Sequence, residues 1–91
     1  MNFKETKFAY RHKPTGKWCY IYPKVHFSGG DIFNYIALEF ITEFDSSILY
    51  NAKNVIEEDL LRSVTNGEKY AAKNFLEFEL VEIEVEYRIK Q

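Results

Sequence analysis

The side chains that most often carry out chemistry are scarce in this sequence. His12 and His26 are the only two histidines, and Cys19 is the only cysteine. In the N-terminal hairpin predicted below, the two histidines lie far apart along the strands, on the order of 26 Å. That separation excludes a shared metal ion, and one cysteine supplies no four-ligand zinc set. We expect structural or surface positions for the two histidines and a structural role for Cys19, and we predict no metal or other cofactor.

Three glutamates near the C-terminus alternate with apolar residues. Glu82, Glu84 and Glu86 could ligate magnesium or act as an acid and base pair. The same alternation is typical of a solvated strand face, on which neighbouring carboxylates stand about 7 Å apart without forming a pocket. We expect the three glutamates on the solvent face of an edge strand, where charge discourages pairing between sheets. No catalytic residue is predicted, and the chain is expected not to be an enzyme.

Aromatic residues are concentrated around a predicted turn. Lys13-Pro14-Thr15-Gly16-Lys17 favours a hairpin loop, because proline presets φ and glycine accepts the left-handed conformation. If Lys13 faces Lys17, the flanking strands place six aromatic or imidazole side chains on one face. These six are Phe8, Tyr10, His12, Trp18, Tyr20 and Tyr22.

This aromatic face is either part of the core or a binding surface. The other face is also largely apolar, and a single helix layer can cover only one of them, so the sequence leaves open which face is buried. An exposed aromatic face with nearby cations would suit a protein partner or the bases of a nucleic acid. The candidate partner-binding residues are Tyr10, Arg11, His12, Lys13, Lys17, Trp18, Tyr20 and Tyr22. The second candidate surface consists of Glu82, Glu84 and Glu86.

The rest of the chain alternates between strand and helix signals. Ser28-Gly29-Gly30-Asp31 is interpreted as a flexible joint at which the chain changes direction. Residues 32–44 fit either a helix or a strand, and we favour a strand over residues 36–43. A turn at residues 45–47 then leads into a short extended segment at residues 48–50.

One helix is predicted with a clear apolar stripe. Asn51 is placed as its N-cap, and the helix covers residues 52–64, with Asn66-Gly67 as a stop signal. A shorter helix is expected at residues 68–74. In the C-terminal strand the apolar phase slips by one residue, which predicts a β-bulge near residues 80–82.

Length, composition and charge further restrict the number of domains and the class of protein. The 91 residues suffice for one domain, and a hydrophobic content of 46% predicts that it folds. Residues 1–27 carry 6 − 1 = +5 charges and residues 28–91 carry 6 − 13 = −7. This asymmetry indicates either internal pairing of the two parts or an interaction surface of one sign. A lone cysteine, the absence of a long apolar run and a start without a signal pattern lead us to expect a cytoplasmic protein without a membrane contact.

Three segments, at residues 10–18, 48–61 and 78–88, resemble small accessory proteins of large tailed bacteriophages. The resemblance implies a non-enzymatic effector that binds a host macromolecule and modulates or inhibits it, and it implies the host cytoplasm as the location. It brings no catalytic or binding residue with it.

These observations predict one α+β domain over residues 1–91. The expected architecture is a small antiparallel sheet, formed by the N-terminal hairpin, the strand at 36–43 and the C-terminal strand, with one main helix packed on one face. The expected function is binding of a host protein through a sheet face. The alternative is a nucleic-acid-binding module that uses the basic aromatic hairpin, and an edge strand could also pair two copies into a homodimer.

Overall fold

The computed structural model describes residues 2–89 as one sheet with a helical layer. Strands β1 (Asn2–His12), β2 (Lys17–Ser28), β3 (Asp31–Ile41) and β4 (Phe78–Arg88) are antiparallel and lie in the order β3-β2-β1-β4. Helices α1 (Lys53–Arg62) and α2 (Tyr70–Lys73) fall between β3 and β4 in sequence, with 3₁₀ turns at Ser46–Ile48 and Phe75–Glu77. The predicted α+β class is confirmed.

The sheet consists of two ribbons joined at one end. Strands β1 and β4 pair along their whole length, and so do β2 and β3. Between β1 and β2, in contrast, the paired positions are Arg11 with Trp18 and His12 with Lys17. Phe8 instead exchanges two backbone hydrogen bonds of 2.8 Å with Tyr50, which occupies the gap between the ribbons. The molecule is therefore elongated, with a longest dimension of 55 Å. Its radius of gyration of 15.3 Å exceeds the value of roughly 12 Å for a compact chain of this length.

The hairpin turn differs by one residue from the prediction. Lys17 lies opposite His12 instead of Lys13, so the loop has four residues, 13–16, with Gly16 at φ 69°. The Gly16 N–H donates to the His12 carbonyl, and the Lys13 N–H donates to the carbonyl of Glu77, each at 2.8 Å. The loop is thus fixed partly by a residue far away in sequence, and the predicted register is wrong.

The helices cover one face of the sheet where the ribbons join. We call this the helix face and the opposite one the far face. The core on the helix face contains Tyr10, Cys19, Ile21, Leu38, Ile56, Leu60, Ala71 and Phe78. Cys19 is fully buried there, and burial raises the pKa of its thiol to about 12, so it is a structural thiol as predicted.

Helix α1 is shorter than predicted and starts without the expected cap. Its N-cap is Ala52, and the Asn51 side chain accepts a hydrogen bond from the Lys7 ammonium instead. At the other end the Ser63 hydroxyl donates to the Leu60 carbonyl at 2.6 Å. Val64 leaves the helix and pairs with the outer edge of β3.

A strand is present in the predicted segment 36–43, but β3 ends at Ile41, two residues earlier than predicted, and begins further toward the N-terminus, at Asp31. The predicted joint before it is a tight turn. Gly29 and Gly30 both have positive φ, at 57° and 84°, as a two-residue hairpin turn of type I′ requires. Residues 17–41 therefore form one long hairpin.

The predicted β-bulge in β4 is absent from the described strand, since its register with β1 runs unbroken from Asn2–Arg88 to His12–Phe78. The apolar residues change from one face of β4 to the other at the place where the helices stop covering the strand. Phe78 lies under the helices, whereas residues such as Ile83 and Val85, which project from the far face, come after the helical cover has ended. Glu82, Glu84 and Glu86 are exposed on this edge strand, as predicted.

Candidate functional site

The register divides the predicted aromatic face into two. A shift of one residue moves one strand's side chains to the other side of the sheet. Tyr10 and His12 are buried on the helix face, while Trp18, Tyr20 and Tyr22 project from the far face beside Arg11. Lys13 and Lys17 are exposed at the turn. The structure therefore does not bring these candidate residues together on one surface.

His12 is buried and lies at the centre of a partly buried polar network. Its Nδ1 is 2.8 Å from Thr15 Oγ1 and its Nε2 is 2.9 Å from Glu77 Oε1. The Tyr70 hydroxyl donates to the same glutamate oxygen at 2.6 Å. Hydrogen bonds from Tyr70 and His12 hold the pKa of Glu77 below its ordinary value. A carboxylate, an imidazole and a hydroxyl in a row are the groups that a proton relay would use. Thr15 Oγ1 also accepts a hydrogen bond from the Lys17 N–H at 3.3 Å, so the network holds the turn at residues 13–16 in place.

The aromatic side chains on the far face pack mainly against one another. The ring of Trp18 meets that of Phe44 edge-on at 5.4 Å, and the Arg11 guanidinium lies over its face, also at 5.4 Å. Tyr20 stacks on Tyr22 at 4.7 Å. The Tyr22 hydroxyl donates to Glu39 at 2.7 Å, which raises the pKa of Tyr22 to about 12. This cluster is half-buried and is not a free stacking platform.

The most exposed apolar surface lies at the end of the β2–β3 ribbon. We call residues 23–34 the distal hairpin, and every one of them is exposed. The exposed fractions are 48% for Val25, 71% for Phe27, 62% for Ile32 and 52% for Phe33. Val25, Phe27 and Ile32 continue the helix face beyond the helices, and Phe33 projects from the far face. The alternating apolar pattern of the core thus continues along β2 and β3 beyond the part of the sheet that the helices cover.

A groove of about 770 Å³ runs along the outer part of the same ribbon. Tyr22, Phe33 and Tyr35 supply aromatic walls, and residues 64–67 close one side. Lys24 and His26 lie in the groove, with Glu39 as its acidic residue. It could hold an anionic ligand that carries a ring.

The second candidate surface is an acidic strip on the edge strand β4. Glu84 pairs with Lys4 at 3.1 Å, and both side chains are more than half exposed. Such exposed pairs contribute little to stability, about 0–1 kcal/mol. Among residues 2–89, Lys4–Glu84 is the ion pair between a lysine or arginine of the basic N-terminal part and an acid of the remainder. Internal pairing therefore accounts for only part of the charge asymmetry.

No family model, curated protein or solved structure matches this chain. Within residues 2–89, no three His, Cys, Asp or Glu side chains come close enough to hold a metal ion together. In the same part of the chain, no helix is long and apolar enough to cross a membrane.

Sequence reasoning missed the distal hairpin as a candidate site. Val25 and Phe27 have the same alternating signal as Cys19 and Ile21 on the same face of β2, so the pattern does not show where the helical cover ends. A signal was present in Gly29-Gly30, since two glycines between alternating apolar runs favour a tight hairpin. A hairpin that turns there is too long for a helix of ten residues to cover.

Proposed function

We propose that this chain is a non-enzymatic binding protein that docks a partner protein through the distal hairpin. One observation carries the proposal: Val25, Phe27 and Ile32, which share the helix face, are each about half exposed or more on a ribbon that extends past the helical cover. Contiguous apolar side chains of this size on a projecting element mark interaction sites. The resemblance to phage accessory proteins makes a host protein the expected partner, whose activity the binding would modulate or inhibit.

The energetics favour a covered hairpin. A two-stranded hairpin without packing on either face is marginally stable in water. Burying side chains such as Phe27 and Ile32 contributes about 1.5–3 kcal/mol each. A partner that covers them would therefore stabilise the ribbon and gain affinity from the same contacts. Lys24 and His26 project from the opposite face of the same hairpin, so a partner that also wraps around the ribbon would need acidic groups there.

The double variant F27S/I32S is expected to lose the partner. The tagged parent chain is incubated with a lysate of the host, and the proteins retained after washing are identified and quantified. We expect the variant to retain less than about one tenth of the specific partner, because both substituted side chains would lie at the centre of the interface.

The matched control is L76S, which removes a leucine that is 87% exposed in the 3₁₀ turn after α2. It removes one highly exposed apolar side chain away from the distal hairpin and should retain the partner in full. If F27S/I32S captures as much partner as L76S does, the distal hairpin is not the docking surface.

A second candidate function, binding of single-stranded nucleic acid, is favoured by the groove. Lys24 and His26 could contact phosphates, while Phe33 and Tyr35 could stack with bases. A labelled single-stranded oligonucleotide should then bind with a salt slope of about −1 to −2, and K24A should reduce that slope by about 0.7. K73A removes a lysine from the last turn of α2 and is the control. Absence of binding at low salt, or equal slopes for both variants, would reject this candidate.

A further inference from the structure

The two outer edges of the sheet are protected to very different degrees. Strand β4 carries Glu79, Glu82, Glu84, Glu86 and Arg88, and charges of this kind prevent strands from pairing with other molecules. Strand β3 has no charged residue and no proline between Ile32 and Leu38. Its outer edge is an open template for another strand.

The free backbone groups of β3 can be assigned from the contacts of Val64. The Val64 N–H donates to the Ile36 carbonyl at 2.9 Å, and the Leu38 N–H donates to the Val64 carbonyl at 3.1 Å. Even-numbered residues of β3 therefore point their N–H and C=O groups outward, because alternate residues face opposite edges. Ile32 and Asn34 come before this bridge and present two donors and two acceptors to the outside.

We propose that two copies of this chain pair along this edge, with their β3 strands antiparallel around Phe33. In that register Ile32 of each copy lies opposite Asn34 of the other. Each of the two pairs exchanges two backbone hydrogen bonds, which makes 2 × 2 = 4 in all. The carbonyl of Ile36, the next outward-facing residue, already accepts the Val64 N–H, so the pairing between the copies ends at Asn34.

The molecule that pairs with this edge of β3 is a second copy of the chain, because the edge is self-complementary. The same two residues supply all donors and acceptors, and Asp31 lies opposite Tyr35 of the second copy, not opposite another acid. The two Phe33 side chains meet at a non-hydrogen-bonded pair, where strands approach most closely. The same antiparallel pairing through β4 would place glutamate opposite glutamate, which is destabilising.

The free inner edge of β2 is blocked in another way. Pro23 has no N–H, and it is one of the residues of β2 whose backbone faces away from β3. The β3 edge is therefore the one best suited to pairing. The dimer goes beyond the proposed function: it leaves Val25, Phe27 and Ile32 uncovered and joins the two distal hairpins into one sheet.

The experiment measures self-association by sedimentation equilibrium up to about 200 µM, since a contact of this size is in the weak class. The parent chain should dimerise. F33K and F33E should each weaken self-association at least about tenfold, because like charges would meet at the centre. An equimolar mixture of the two variants should dimerise again, since opposite charges then face each other. The control F27K changes a more exposed residue on β2, away from this edge, and should dimerise like the parent.

A second variant tests the hydrogen bonds. N34P removes an N–H that points outward and leaves the ladder between β2 and β3 intact, so the chain should stay folded by circular dichroism and become monomeric. A monomeric parent, dimers of F33K or N34P as stable as the parent's, or a monomeric F27K would each overturn the proposal. A mixture of F33K and F33E that stays monomeric would overturn the register.

Discussion

Replacing His12 by alanine is expected to lower the free energy of unfolding by about 3 kcal/mol. The imidazole is 5% exposed and packs against the rings of Phe40 and Phe78, with ring centres 4.6 and 5.1 Å away. Its loss leaves a cavity and also removes one of the two hydrogen-bond partners of each of Thr15 and Glu77. Urea unfolding gives the difference, and the melting temperature should fall by about 12–24 °C.

The second histidine is the matched control. His26 is exposed in the distal hairpin, so H26A should change stability by less than about 0.5 kcal/mol. Equal effects of the two substitutions would show that the network around His12 does not stabilise the fold.

The same network predicts a pH dependence. The pKa of Glu77 is lowered in the folded chain, so the carboxylate stabilises the fold above its unfolded pKa of about 4.3. That contribution is lost as the pH falls through the lowered pKa. The stability difference between the parent and E77Q should therefore be constant near neutral pH and shrink in acid. A difference that stays the same down to the acid limit would contradict this assignment.

Replacing Leu60 by alanine should also cost about 3 kcal/mol. Leu60 is fully buried in α1 and belongs to the core that joins the helix to both ribbons. The cavity would lie at the place where the ribbons meet, so few neighbouring groups could move to fill it. Denaturant unfolding followed by circular dichroism measures the loss.

The adjacent leucine provides the comparison. Leu61 is 37% exposed, and L61A should cost about 1 kcal/mol or less. Both changes remove the same atoms from the same helix and differ only in burial. Similar losses for L60A and L61A would show that α1 does not pack as described.

Local sequence patterns were sufficient to predict the elements. Alternating apolar residues predicted the strands, and the spacing of Ile56 and Leu60 predicted α1, because these periods follow from the geometry of a single strand or helix. Glycine at position 16 predicted a turn, since its φ of 69° is accessible to glycine at little cost. Each of these signals acts over a few neighbouring residues.

The register, and with it the candidate site, depended on contacts between distant residues. The loop at residues 13–16 is closed by the carbonyl of Glu77, and Tyr50 takes the place beside Phe8 that β2 would otherwise fill. A pattern of period two is equally compatible with either loop length, yet a one-residue change places Tyr10 and His12 on the opposite face of the sheet from Trp18.

The ends of the helical cover were also decided by tertiary structure alone. An apolar residue at a strand position has the same sequence signal whether a helix lies over it or not. Ile21 is buried because α1 and α2 reach it, and Phe27, six residues further along the same face, is exposed because they do not. The sequence thus determined which residues of one strand share a face, and the positions of α1 and α2 determined which part of a face is core and which part stays exposed.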